Sequence, residues 1–210
     1  MRVEDFIYIY KGPIDEMKLE EYIDYFSNVN ENKEEIIYIF KKKFEYDFLE
    51  SSQLLIENNY LYPVSMILAN SIDTLAKHYT GNCSHKKIGS KFEEFFRMEL
   101  GEKLRGENSE VDLETLVEQF YKEFRCSITH SNSTSLQFTI DKEISNICLQ
   151  DNILVINLEH LRKSIERALE EYISLLRTDN TYFEKFIKVQ KKIYKIEEEL
   201  ERKKRENISK

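Results

Sequence analysis

The chain has no tryptophan, two prolines and five glycines in 210 residues. Pro and Gly are the strongest local interrupters of regular structure, so their scarcity predicts long helices and few tight turns. Cysteine is also sparse: three residues, at 83, 126 and 148, do not make a disulfide framework and fit reduced thiols. No apolar run approaches the roughly 18–20 residues of a membrane span. The opening Met1-Arg2-Val3-Glu4-Asp5 puts acids where a signal peptide carries its basic region. A soluble, cytoplasmic protein with no membrane association is expected. An excess of positive charge is missing too. The formal net charge is −8, which counts against broad nonspecific nucleic-acid binding but leaves room for a small local site.

What the chain does hold is packing material. Hydrophobic residues make up 41% and charged residues 33%, enough for a core and against wholesale disorder. Thirteen Tyr and thirteen Phe supply bulk in place of tryptophan. The first sixty residues carry fourteen acids against seven Lys and Arg. That segment reads as a solvated outer face, or as an acidic cap that repels or mimics nucleic acid.

The length suits one domain with appendages, and the expected class is mainly α. An N-terminal acidic helical extension is assigned to residues 1–59, a helical core to 60–178, and a C-terminal amphipathic helix to 179–210. Phe6, Tyr8 and Tyr10 alternate with Ile7 and Ile9 as in a short strand, before a Gly12-Pro13 turn. Helices are predicted over 15–28 and over 31–57, the latter as one long helix or two shorter ones. Tyr62-Pro63 opens a helix that runs to about Tyr79 and is stopped by Gly81. Another starts at Ser90 and ends near Leu100. Asp112 is placed to cap the helix beginning at Leu113. Leu136, Phe138 and Ile140 alternate like a strand, and 147–149 with 153–156 read as a hairpin, so a small β insertion is expected near 136–156. Asn157 caps the next helix, to Leu176. A last helix starts at Asp179, with Phe186, Val189, Ile193, Ile196 and Leu200 spaced by threes and fours. Two heptads do not make a coiled coil; packing on its own body or on a second subunit is expected.

Chemistry concentrates near position 125. Leu113, Leu116, Val117, Phe120 and Phe124 bury one side of a helix, Arg125 is the next residue round, and His130 follows five places later. An Arg can hold a phosphate through two parallel hydrogen bonds. A His exchanges a proton near neutral pH without a perturbed pKa. The two suffice to cleave an RNA phosphodiester without a metal, the nucleophile being the substrate's own 2′-hydroxyl. In a regular helix, residues five apart stand about 140° apart in projection, so joint action needs a distorted helix end or a wrapping Arg. As a plain alternative, Arg125 and His130 are a structural pair bonded to Asp73 or to backbone carbonyls. Asn70 and Asp73 lie one helical turn apart; they make surface or interhelical hydrogen bonds, or orient Arg125 or His130. The loop containing His85, Lys86 and Lys87 precedes a helix start and, through Lys91, carries three lysines and no acid. It is an expected phosphate site or an ordinary solvated loop. Cys83, His85, Cys126 and His130 can be drawn together as a zinc set, but their spacings are not a finger's, and neither metal nor cofactor is expected.

Arg-x4-His near a helix end, behind Phe120-Tyr121-Lys122-Glu123-Phe124, resembles the HEPN superfamily of small all-helical proteins. The resemblance covers roughly residues 60–178. It implies a four- to five-helix bundle, here with the β-hairpin insertion and a long C-terminal helix added, and a homodimer whose two motifs face each other. It further implies a metal-independent endoribonuclease of a bacterial toxin–antitoxin or phage-defence type, with RNA as substrate and an antitoxin or defence-system protein as partner. Arg125, His130 and Asp73 would be catalytic, and Asn70, His85, Lys86, Lys87, Ser131 and Asn132 would meet RNA or phosphate. Two positions depart from the family pattern. Cys126 replaces the polar residue that more often follows the Arg. Asn132 stands where HEPN toxins silenced by nucleotidylation carry Tyr, so that control is not carried over. Acidic charge, Cys126 and the heptad-like tail support the alternative of a non-catalytic HEPN-like interaction or regulatory module.

Overall fold

Stretches poor in Pro and Gly fold into helices, three of them starting at the capping residues Asp112, Asn157 and Asp179. The computed structural model describes residues 8–11, 16–83, 88–101, 104, 112–130, 138–140, 144, 147–150 and 153–208. The fold is mainly α. Two strands, β1 (Tyr8–Lys11) and β2 (Glu16–Lys18), pair antiparallel, so the helix expected from 15 begins instead as α1 (Leu19–Tyr25). The 31–57 segment is continuous: α2 (Lys33–Phe44), a π-helical stretch Glu45–Glu50, then α3 (Ser51–Glu57). After it, α4 (Leu61–Thr80) ends at Gly81, which takes the left-handed φ of 69° that lets the chain leave the helix.

Next come α5 (Ile88–Phe95), continued by π-helical Phe96–Leu100, and α6 (Leu113–Gln119), continued by π-helical Phe120–Cys126 and a short α7 (Ser127–His130). Asp112 caps α6 as its sequence position predicts, accepting from Thr115 N at 3.0 Å. The expected hairpin forms: β4 (Cys148–Gln150) and β5 (Ile153–Ile156) pair antiparallel. A strand not foreseen as its partner, β3 (Phe138–Ile140), runs parallel on the other side of β5. The central strand is accordingly the apolar one, with Leu154, Val155 and Ile156 buried. Asn157 caps α8 (Leu158–Thr178) through His160 N at 3.0 Å, and Asp179 caps α9 (Asn180–Ile193) through Thr181 N at 2.7 Å.

The single long C-terminal helix is corrected to two. The chain breaks at Tyr194-Lys195, where Lys195 adopts a φ of 50°, and resumes as α10 (Ile196–Ile208). Packing explains the break. The Tyr194 ring meets Tyr22 edge-on at 5.6 Å, and Lys203 pairs with Asp24 of α1 at 2.5 Å, so α10 turns onto α1.

One apolar core joins these elements, from Tyr22 of α1 to Ile196 of α10. Aromatics replace the missing tryptophan: the Phe96 and Phe120 rings stack at 4.4 Å, and Phe120 meets Phe124 at 4.8 Å. Each fully buried Phe of this kind contributes about 1.5–3 kcal/mol. Stacking fixes the π-helical stretch Phe120–Cys126 against α5, and β5 and α4 also touch it. Residue 125 is thereby set facing α4. Among the described residues no helix is long and apolar enough to cross a membrane.

Candidate functional site

Arg125 projects from the π-helical stretch toward Asp73 on α4, whose neighbours Ile72, Leu75 and Ala76 are buried in the core. Arg125 Nη2 donates to Asp73 Oδ2 at 2.8 Å and Nε donates to the same oxygen at 3.3 Å. The two side chains are 9% and 10% exposed, so this is a buried ion pair and not a surface one. Asp73 Oδ1 is buried and has no hydrogen-bond partner among the described residues. Burial pulls the Arg125 guanidinium down, but the Asp73 hydrogen bond and charge outweigh it and hold the group above its ordinary value.

Tyr121 lies one turn before Arg125, and the guanidinium carbon stands 5.7 Å from its ring centroid. Burial first, then a hydrogen bond with Cys126, raises the Tyr121 hydroxyl. Gly89 of α5 lies against this ring: a Cβ at that position would stand 2.9 Å from Tyr121 Cζ and 2.9 Å from its hydroxyl oxygen, so a side chain there requires the ring tip to shift.

The structure therefore brings together two of the three expected catalytic residues, Arg125 and Asp73. The backbone of His130 closes α7, one turn beyond the π-helical stretch, while its side chain lies outside the described residues. The π-helical stretch ends at Cys126, and Ser127–His130 is α-helical; π-helical turns recur at functional sites. Asn70 is exposed, and its carbonyl accepts from Thr74 Oγ1 at 2.8 Å. His85, Lys86, Lys87, Ser131 and Asn132 lie outside the described residues, and the drawn zinc set, which includes His85, lies partly outside them too. No group of three or more His, Cys, Asp or Glu able to hold a metal occurs among the described residues.

Two features carry no role in the sequence reading. His78, on the same helix as Asp73, is 2% exposed. Its Nδ1 lies 2.8 Å from Thr74 O and its Nε2 lies 2.8 Å from Gln190 Nε2, while Gln190 Oε1 accepts from Tyr22 OH at 2.8 Å. That direction of donors requires a neutral imidazole protonated on Nδ1. Burial pushes its pKa down to about 4. The chain of bonds links α4, α9 and α1, beside a cavity of about 190 Å³ walled by Phe40, Phe44 and Phe48. A single His on an apolar face gives no sign in sequence of a partner 112 positions away. The second feature, a run of lysines on α9, was legible as composition: five lysines and no acid between 185 and 195.

No family model matches the chain, no curated protein matches it, and no solved structure matches it.

Proposed function

We propose that the chain is a metal-independent endoribonuclease of a bacterial defence or toxin–antitoxin type, acting in the cytoplasm as a homodimer with HEPN-like motifs. The observation that carries this reading is the buried Arg125–Asp73 pair, held at a π-helical turn directly before the turn that ends in His130. A guanidinium fixed by a carboxylate in a poorly solvated site is pre-oriented, which is what stabilisation of a developing phosphorane charge needs. The substrate's 2′-hydroxyl attacks the adjacent phosphorus and the P–O5′ bond breaks. One His130 accepts the 2′-hydroxyl proton, and the partner's His130 donates a proton to the departing 5′-oxygen. The product is a 2′,3′-cyclic phosphate with a free 5′-hydroxyl, and electrons and protons balance without a metal. An RNA carrying a 2′-deoxy nucleotide at the cleaved position tests this: cleavage there is lost while neighbouring sites are still cut.

A second reading rests on the same pair seen differently. Arg125 is 8% exposed and already engaged by Asp73, as befits a structural ion pair in a non-catalytic interaction or regulatory module. On that reading neither the unmodified nor the 2′-deoxy RNA is cut.

A further inference from the structure

In a chain of net charge −8, lysines 185, 188, 191, 192 and 195 form an acid-free run. They lie on α9 and just past its end, while Phe183, Phe186 and Val189 of α9 are buried against the core. Lys188, Lys192 and Lys195 are exposed. From Lys185 to Lys192 the helix advances about 10 Å.

Two other elements deliver cations to the same place. The end of α4 is pressed on α9: a Cβ at Gly81 would stand 2.8 Å from Lys185 Cγ. Cys83 follows, with Sγ 3.9 Å from Val189 O. Lys91 of α5, itself buried, donates from Nζ to Asn82 O at 3.1 Å. Burial raises the Cys83 thiol, while Lys192, Lys77, Lys91 and Lys188 pull it down. Along α9 the surface continues as a cleft of about 340 Å³ lined by Lys188, Lys191, Lys192, Lys195, Glu197 and Glu198. Glu197 is 3.3 Å from Lys191. Among the described residues no carboxylate comes within ion-pair distance of Lys77, Lys188, Lys192 or Lys195. Like charges gathered in this way repel, and a polyanion relieves the repulsion.

We infer that this lysine surface of α4 and α9 binds the phosphodiester backbone of a single nucleic-acid strand. The inference goes beyond the ribonuclease reading and needs neither Arg125 nor His130. Lysines on flexible stems are point charges suited to tracking successive phosphates. A protein partner fits less well, because interface cores are poor in Lys and anchored by aromatics, Met or Arg, and this stripe exposes none of these among the described residues. A membrane surface fits less well, because Phe183, Phe186 and Val189 of α9 are committed to the core. The row of cations is extended, matching a strand and not a compact anion.

The test is fluorescence anisotropy of the full chain with labelled single-stranded RNA and with single-stranded DNA, which lacks the 2′-hydroxyl and reports binding without cleavage. Both strands are expected to bind. With Lys77, Lys188, Lys192 and Lys195 each neutralising a phosphate, the log–log dependence on salt has a slope of about −3, at about −0.7 per contact. Lys188→Glu/Lys192→Glu, both exposed and checked for fold by circular dichroism, weakens binding at least about tenfold and halves the slope to about −1.4. Absence of salt-dependent binding by the wild type, or unchanged binding by the folded double variant, overturns the inference. Displacement of the strand by poly-glutamate at equal charge concentration overturns it in favour of an acidic protein segment. The ribonuclease reading is judged separately by cleavage, so either can fail alone.

Discussion

Arg125 gives both Nη2 and Nε to a single oxygen of Asp73, 52 residues earlier, at 2.8 and 3.3 Å. The other carboxylate oxygen is buried with no hydrogen-bond partner among the described residues. The pair is thus held by charge in a poorly solvated place, with less than the full two-oxygen geometry of an Arg–carboxylate fork. A buried pair of this kind orients its members strongly and adds little net stability compared with apolar residues of the same volume.

Removing one partner should therefore be costly and removing both should not. Asp73→Ala leaves the buried guanidinium uncompensated and is expected to lower stability by about 3–5 kcal/mol. Arg125→Met/Asp73→Leu fills the same space without charge and is expected to stay within about 1 kcal/mol of the wild type or to exceed it. Urea unfolding of both variants checks this. The double variant also separates the two functional readings, since it keeps the fold and should abolish RNA cleavage.

Gly89 sets how closely α5 approaches the ring beside Arg125. Gly89→Ala places a methyl group 2.9 Å from Tyr121 Cζ, a contact that requires the ring or the helix to move. An overpacking cost of about 1–3 kcal/mol is expected. In a Tyr121→Leu background, which removes the clashing ring atoms, the same substitution should cost less than half as much. Thermal or urea unfolding of the four proteins in this double-mutant cycle gives the coupling directly.

Burial lowers the His78 pKa to about 4 from its ordinary 6.5. The unfolded chain binds the proton more tightly, so the contribution of neutral His78 to stability is complete above about pH 6.5. It is lost as pH falls toward 4, and the integrated loss is about 3 kcal/mol. His78→Gln cannot titrate, so the wild-type-minus-variant difference in unfolding free energy should fall across this window and level off below it. A flat difference would contradict a neutral, buried His78.

Much of the fold is legible from local chemistry. Asp112, Asn157 and Asp179 mark helix starts because a short polar side chain can satisfy a free N–H locally, and Gly81 marks an end because the left-handed turn favours it. The hairpin 148–156 follows from two apolar runs around a polar turn. Non-local pairings are not legible in this way. The parallel partnership of β3 with β5, the reversal at Lys195 and the His78–Gln190–Tyr22 chain depend on elements far apart in sequence. The candidate site divides along the same line. Arg125 stands out beside an aromatic stripe, and Asp73 is one candidate partner for it, its spacing from Asn70 fitting a plain interhelical hydrogen bond as well. The burial of the pair is a product of packing between α4 and the π-helical stretch, which no single spacing encodes.

The central claim is tested most directly by incubating wild type and His130→Ala with a mixed RNA pool in EDTA and analysing the product ends. The account predicts that wild type cleaves and leaves 2′,3′-cyclic phosphate ends, while folded His130→Ala does not cleave. Equal cleavage by both proteins, or a folded wild-type dimer that leaves the RNA intact, would contradict it and leave Arg125–Asp73 as the structural pair of an interaction module.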